Sequence, residues 1–244
     1  MIRLIICYIW AVIVMVFSIP RHLYYKHLIK KDPMNGWRTA TKAVNRFFKD
    51  LLFIAGTKVT VIGQENIPEN TACLFVGNHR SWFDVIILQT LAKNPIGYIS
   101  KKEFAHTPLL SMYMRDIGTL YIDRENPREA LKTIKEGGER MKKGLSLSLF
   151  PEGTRNHKDT LLPFKEGGYK MAEKSKSPII LVANSGTDDI WEKNKHFAVK
   201  KRHVIIEFME PVYPSELPVH ERKAFYADIP NRINEKLQKN NKNL

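Results

Sequence analysis

From Thr57 onward the sequence alternates between short apolar, often β-branched runs and longer stretches with helical periodicity. The runs are VTVIG from Val59, ACLFVG from Ala72, IGYIS from Ile96, TLYI from Thr119, LSLSLF from Leu145, PIILVAN from Pro178 and HVIIEFM from His203. Helical patterns occupy Trp82–Lys93, Pro108–Arg115, Pro127–Lys143, Gly168–Lys174 and Glu221–Leu237. A strand exposed on one face alternates polar and apolar residues, whereas most of these runs are apolar throughout, as expected when helices cover both faces of a sheet. Strands alternating with helices predict an α/β fold with a largely parallel sheet covered by helices. The 244 residues suffice for one such domain and a short appendage. No internal repeat or long linker interrupts the pattern, and the final QKNNKNL reads as a frayed tail. Two cysteines, Cys7 and Cys73, exclude a disulfide framework and a thiolate zinc site.

The first quarter of the chain is different. Leu4–Ile19 holds sixteen consecutive residues without a charge, just short of the roughly 17–25 that cross a bilayer. It suits a short transmembrane anchor or a helix within one leaflet. A cleaved signal peptide fits less well, because no Ala-x-Ala-like site follows, and a buried core helix is the bland alternative. Residues 1–60 hold ten cations against two anions, a net +8 out of +14 for the whole chain. From Trp37 to Ala55, apolar residues recur every three or four positions, while Arg38, Lys42, Arg46 and Lys49 fall on the opposite side. Such a helix suits the interface of an anionic membrane; a surface helix packed on the domain is the alternative. With the DPMNG stretch at Asp32–Gly36 as the turn between the two helices, residues 1–56 are expected to form a two-helix membrane-binding platform and residues 57–244 the α/β domain. Cations after Ile19 place that flank on the cytoplasmic side. The excess charge does not point to nucleic acid, since no aromatic RNP-like strand or recognition-helix pattern accompanies it.

Open α/β sheets place chemistry where strands end and helices begin. At the first such junction, NHRSWFD, His79 and Asp84 are five residues apart. On one helix they would diverge by about 140°. They meet only if His79 sits on the preceding turn, where Asp84 would fix its tautomer and leave the other ring nitrogen as a general base. Ser81-x-x-Asp84 equally resembles a helix capping box, and spacing leaves both readings open. At the second junction, Pro151-Glu152-Gly153-Thr154-Arg155 combines a glycine that permits close backbone approach with a guanidinium fork suited to phosphate. A local Glu152–Arg155 pair is the simpler reading. Asp123-Arg124 follows a third strand and Lys101-Lys102 a fourth; either pair by itself is ordinarily a solvated one.

Taken together, NHRSWFD (78–84), YIDR (121–124) and FPEGTR (150–155), in this order, resemble the glycerolipid acyltransferase family, with its bacterial 1-acyl-glycerol-3-phosphate acyltransferases nearest. SKKEF (100–104) and FKEGG (164–168) match as well, and the amino-terminal helices resemble the family's monotopic platform. The resemblance implies that His79 deprotonates an acceptor hydroxyl, supported by Asp84, and that this hydroxyl attacks an acyl thioester directly. It implies that Glu152, Gly153, Thr154 and Arg155 hold the acceptor, with Arg155, Arg124 and Lys101 toward its phosphate. The partners it implies are lysophosphatidic acid, acyl-CoA or acyl carrier protein as co-substrate, and membrane phospholipids. No cofactor or metal is expected, and the location implied is the cytoplasmic face of the cell membrane. Another lyso-lipid or glycerol 3-phosphate is the alternative acceptor. The chain departs from the family at SPIILVANSG, where Leu181 replaces a usual proline, which bears on acceptor and chain-length preference.

Overall fold

A computed structural model describes residues 1–158 and 160–244. The first three elements are helices: α1 (Ile2–Phe17), α2 (Ile19–Lys31) and α3 (Pro33–Ala55). The remainder alternates: β1 (Lys58–Ile62), β2 (Leu74–Gly77), α4 (Trp82–Leu91), β3 (Ile96–Lys101), α5 (Leu110–Asp116), β4 (Leu120–Ile122), α6 (Pro127–Lys142), β5 (Ser146–Leu149), α7 (Lys170–Ser175), β6 (Ile179–Ser185), β7 (His203–Phe208) and α8 (Val219–Asn241). Each of the seven apolar runs from Val59 onward overlaps a strand.

The strands form one sheet in the order β1-β7-β6-β2-β5-β3-β4. All neighbours are parallel except β6 and β7, which are antiparallel. The continuous apolar runs follow from two-sided burial. Leu74 and Val76 of β2, with Ile179, Leu181 and Ala183 of β6, face the layer built by α6, α7 and α8. Cys73 and Phe75, with Ile180 and Val182, face the layer built by α3 and α4. Each fully buried Leu, Ile or Phe contributes about 1.5–3 kcal/mol. Because β3, β4, β5, β6 and β2 run the same way, their carboxyl ends share one edge of the sheet.

The amino-terminal region departs from expectation in three respects. A third helix, α2, lies between the expected pair, and DPMNG is not a loop. Asp32 caps α3, its side chain accepting from the Asn35 amide at 3.2 Å, and Pro33 opens the first turn. The apolar stripe of α3 is also not a lipid-facing surface: Trp37, Ala40, Val44, Phe47 and Ala55 are buried in the protein, while Arg38, Lys42, Arg46 and Lys49 are exposed. The surface-helix alternative therefore describes α3. It is α1 that lacks any buried residue, with Ile2, Ile5, Tyr8, Ile9 and Phe17 among its exposed side chains.

Among the described residues no single helix is long and apolar enough to cross a membrane; α1 and α2 reach that length only together, bent by 57°. They are fastened to the domain through α5. Tyr113 Oη donates to the Val14 carbonyl at 3.1 Å and meets Ser18 Oγ, and His22 pairs with Asp116. The carboxyl end is likewise more ordered than expected. α8 continues to Asn241, Leu237 and Asn240 are buried, and Asn240 Nδ2 donates to Glu207 Oε2 at 3.0 Å.

Candidate active site

At the end of β2 the chain is locked to the end of β6. Asn78 Nδ2 donates to the Asn184 carbonyl (3.0 Å), the Asn184 amide donates to Asn78 Oδ1 (2.8 Å), and Asn184 Nδ2 donates to the Asn78 carbonyl (2.9 Å). Both side chains are buried, so this pairing fixes where the next turn begins. His79 occupies that turn, with Nδ1 2.9 Å from Asp84 Oδ2. The same oxygen accepts from the amides of Arg80 (2.7 Å) and Ser81 (2.8 Å), while Ser81 Oγ accepts from the Phe83 amide (3.0 Å). The dyad and the capping box thus coexist on one carboxylate. An acceptor-only carboxylate assigns the proton to Nδ1 and leaves Nε2 with its lone pair. The His79 ring stacks on Phe150 at 4.2 Å between centroids.

Two residues not marked by any local pattern complete this turn. Thr187 Oγ1 donates to Asp84 Oδ1 at 2.5 Å. Glu192 accepts from Ser81 Oγ (2.7 Å) and from the Trp82 amide (2.9 Å), adding a second carboxylate at the positive end of α4. Glu152 has a bracing role. Buried, it accepts from the His79 amide (2.8 Å), Asn156 Nδ2 (3.0 Å) and the Leu162 amide (3.0 Å).

Beside this turn lies a cleft of about 280 Å³, lined among others by Lys101, Lys102, Arg124, Glu152, Gly153, Thr154 and Lys165. Its cations differ in availability. Lys102 Nζ is 2.9 Å from Asp123 Oδ2 and 3.9 Å from Glu125 Oε2, and its hydrogen bond holds the Asp123 carboxyl below the ordinary value. Lys101 and Lys165 have no carboxylate partner among the described residues. Arg124 donates to the Gly153 carbonyl, and burial draws its guanidinium below its ordinary value while Glu103 opposes that. Gly153 adopts φ +76°, a conformation that favours glycine, and a Cβ there would stand 3.2 Å from Arg124 Nη1, close enough that the guanidinium would have to shift slightly. The Lys165 amide, within FKEGG, donates to the Pro151 carbonyl at 3.1 Å, which ties it to the PEGTR turn.

The structure therefore brings together His79 and Asp84, and separately Lys101, Arg124, Gly153 and Thr154. Arg155 is not part of the cleft lining. Its guanidinium lies 4.9 Å from the Trp82 ring centroid and 3.5 Å from Glu192 Oε1. Leu181, the departure from the usual proline, is also away from the cleft, buried within the sheet.

A sequence profile of the Acyltransferase family matches residues 58–185, just over half of the chain. The chain belongs to this family. Curated relatives in it are named 1-acyl-sn-glycerol-3-phosphate acyltransferase. One from Saccharomyces cerevisiae is 30% identical over 78% of this chain and 62% of its own length. One from Cocos nucifera is 34% identical over 66% of this chain and 52% of its own. One from Haemophilus influenzae is 30% identical over 77% of this chain and 75% of its own. The chain thus spans about half to three fifths of the length of the yeast and coconut relatives. The fold matches that of the 1-acyl-sn-glycerophosphate acyltransferase PlsC from Thermotoga maritima, with a TM-score of 0.76 and 24% identity over 97% of this chain and 96% of that one. The family match ends at Ser185, two residues before Thr187.

Proposed function

We propose that the protein transfers a fatty acyl group from an acyl thioester to the sn-2 hydroxyl of 1-acyl-glycerol-3-phosphate, producing phosphatidic acid. The observation that carries this reading is the His79–Asp84 pair beside a cleft that presents Lys101, Arg124 and Lys165. One acceptor bearing both a hydroxyl and a phosphate suits that combination, and the names of the relatives agree with it.

In the proposed reaction His79 Nε2 removes the hydroxyl proton as the oxygen attacks the thioester carbonyl. The tetrahedral intermediate collapses, breaking the C–S bond, and the imidazolium returns its proton to the departing thiolate. One C–O bond replaces one C–S bond, and no acyl-enzyme forms. A positioned base contributes on the order of 10²–10⁴ in rate. The donor is acyl-CoA or acyl carrier protein, and a cationic surface favours either, since both are anionic.

The reaction is proposed to occur at the cytoplasmic membrane face. The exposed apolar surface of α1 and the exposed cationic row of α3 support this. At about 1.5 Å per residue, α1 is roughly 24 Å long, short of the roughly 30 Å hydrocarbon core, which favours a helix in one leaflet.

The test is a panel of acceptors and donors with the purified full chain. Thiol release with lysophosphatidic acid, and phosphatidic acid as product, is the expected result. Activity confined to glycerol 3-phosphate or to a phosphate-free lyso-lipid would overturn the acceptor assignment.

A further inference from the structure

The end of β6 and the segment that follows it, which beyond Gly186 lies outside the sequence motifs, together hold the catalytic turn. Asn184 interlocks with Asn78, Thr187 reaches Asp84, Asp188 Oδ2 stands 3.3 Å from Arg80 Nη1, and Glu192 holds Ser81 and Trp82. Of these four contacts only that of Thr187 falls on the dyad itself. We infer that Thr187 is a positioning residue for the proposed acyl transfer, its hydroxyl holding the Asp84 carboxylate so that Oδ2 stays on His79.

A carboxylate rotates over a broad, roughly two-fold torsion, so the partners of both oxygens fix its plane. Oδ2 has three donors, the ring and two amides. Among the described residues Oδ1 has one, Thr187 Oγ1. Asp84 and Thr187 both have 0% exposure, which leaves no direct route for bulk solvent to replace that donor. Without it an anionic oxygen would be buried without a partner, an arrangement that favours rotation or protonation of the carboxylate. Either response takes negative charge or aim away from Nδ1 and lowers the basicity of His79. The other charged groups around the turn are already engaged: Glu152 with the His79 amide, Glu192 with Arg155, and Asp188 with Arg80 and Lys193.

Thr187→Val keeps the shape and deletes the donor, whereas Thr187→Ser keeps the donor. The inference rests on the acyl-transfer reading for its kinetic arm, so a second arm follows His79 directly, by its NMR titration in labelled full-length protein, assigned with His79→Ala. For Thr187→Val the expected results are a kcat about 10- to 100-fold lower, an acceptor KM within about threefold, and an acid limb of the kcat profile displaced to lower pH. The His79 titration moves in the same direction. Thr187→Ser restores each to near wild type, and Thr187→Cys, a weaker donor, falls between; these two variants carry the test should the valine substitution prevent folding. A wild-type titration of His79 in Thr187→Val overturns the inference whatever the activity, as does a Thr187→Ser variant as impaired as Thr187→Val. Wild-type protein inactive on every acceptor, with the titration still displaced, supports the positioning role and refutes acyl transfer.

Discussion

Asp84→Asn separates the two duties that one oxygen performs. The amide has only one orientation compatible with its surroundings. The Arg80 and Ser81 amides, 2.7 and 2.8 Å from Oδ2, are fixed donors, so the side-chain oxygen must face them and the NH₂ must face Thr187. Thr187 Oγ1 can accept as readily as it donates, and His79 Nδ1 keeps an acceptor. The substitution therefore preserves geometry and removes charge. Charge-assisted hydrogen bonds become neutral ones, costing about 1–2 kcal/mol in stability, or roughly 2–8 °C in Tm for a chain of this size. The kinetic loss is larger, because the charge matters most when His79 becomes an imidazolium. Charge centres about 4 Å apart at an effective dielectric near 20 interact by about 4 kcal/mol, roughly a thousandfold in kcat. Thermal melting measures the loss of stability, and thiol release from the acyl thioester under saturating acceptor measures the kinetic loss. A kcat within tenfold of wild type, accompanied by a fall in Tm, would refute the dyad and leave Asp84 as a cap alone.

Three further outcomes are expected. Lys101→Ala and Lys165→Ala should each raise the acceptor KM about tenfold, whereas Lys102→Ala, whose charge is committed to Asp123, should change it less than threefold; equal effects of all three would remove the distinction. Replacing Arg38, Lys42, Arg46 and Lys49 with glutamine should weaken binding to anionic vesicles by about 1 kcal/mol per residue near the surface and flatten its salt dependence, with little effect on neutral vesicles; unchanged sedimentation with anionic vesicles would refute the role of that row. Burial pushes the Cys73 thiol up to about 12, so at pH 8 roughly one thiol in ten thousand is ionised. A native thiol titration should therefore find Cys7 alone, and both cysteines after denaturation.

Most of the strands were legible as near-continuous apolar runs because the sheet is covered on both faces, as in LFVG, although SLSL of β5 alternates and is buried throughout. Their spatial order was not, since nothing local states that β7 inserts between β1 and β6, parallel to the first and antiparallel to the second. α2 escaped because IPRHLYYKHLIKK carries no clear apolar stripe; its buried residues are His22 and Tyr25. The end of α8 escaped because Asn240 is buried by a hydrogen bond to Glu207 rather than by hydrophobicity. Within the site, His79 and Asp84 were legible as a pair five residues apart. Thr187 lies 103 positions from Asp84 and Glu192 lies 111 from Ser81, and only the fold makes them neighbours. Arg155 carried the expected chemistry but spends it on Trp82 and Glu192.

The unburied α1 also bears on how such a protein meets its substrate. With α1 docked as proposed and an acceptor whose acyl chain stays in the same leaflet, encounter takes place on a plane. The quantity that governs acceptor saturation is then its mole fraction among the lipids, and only the thioester obeys a bulk concentration. Diluting the acceptor with inert phospholipid, at constant total amount in the tube, slows turnover as surely as removing it.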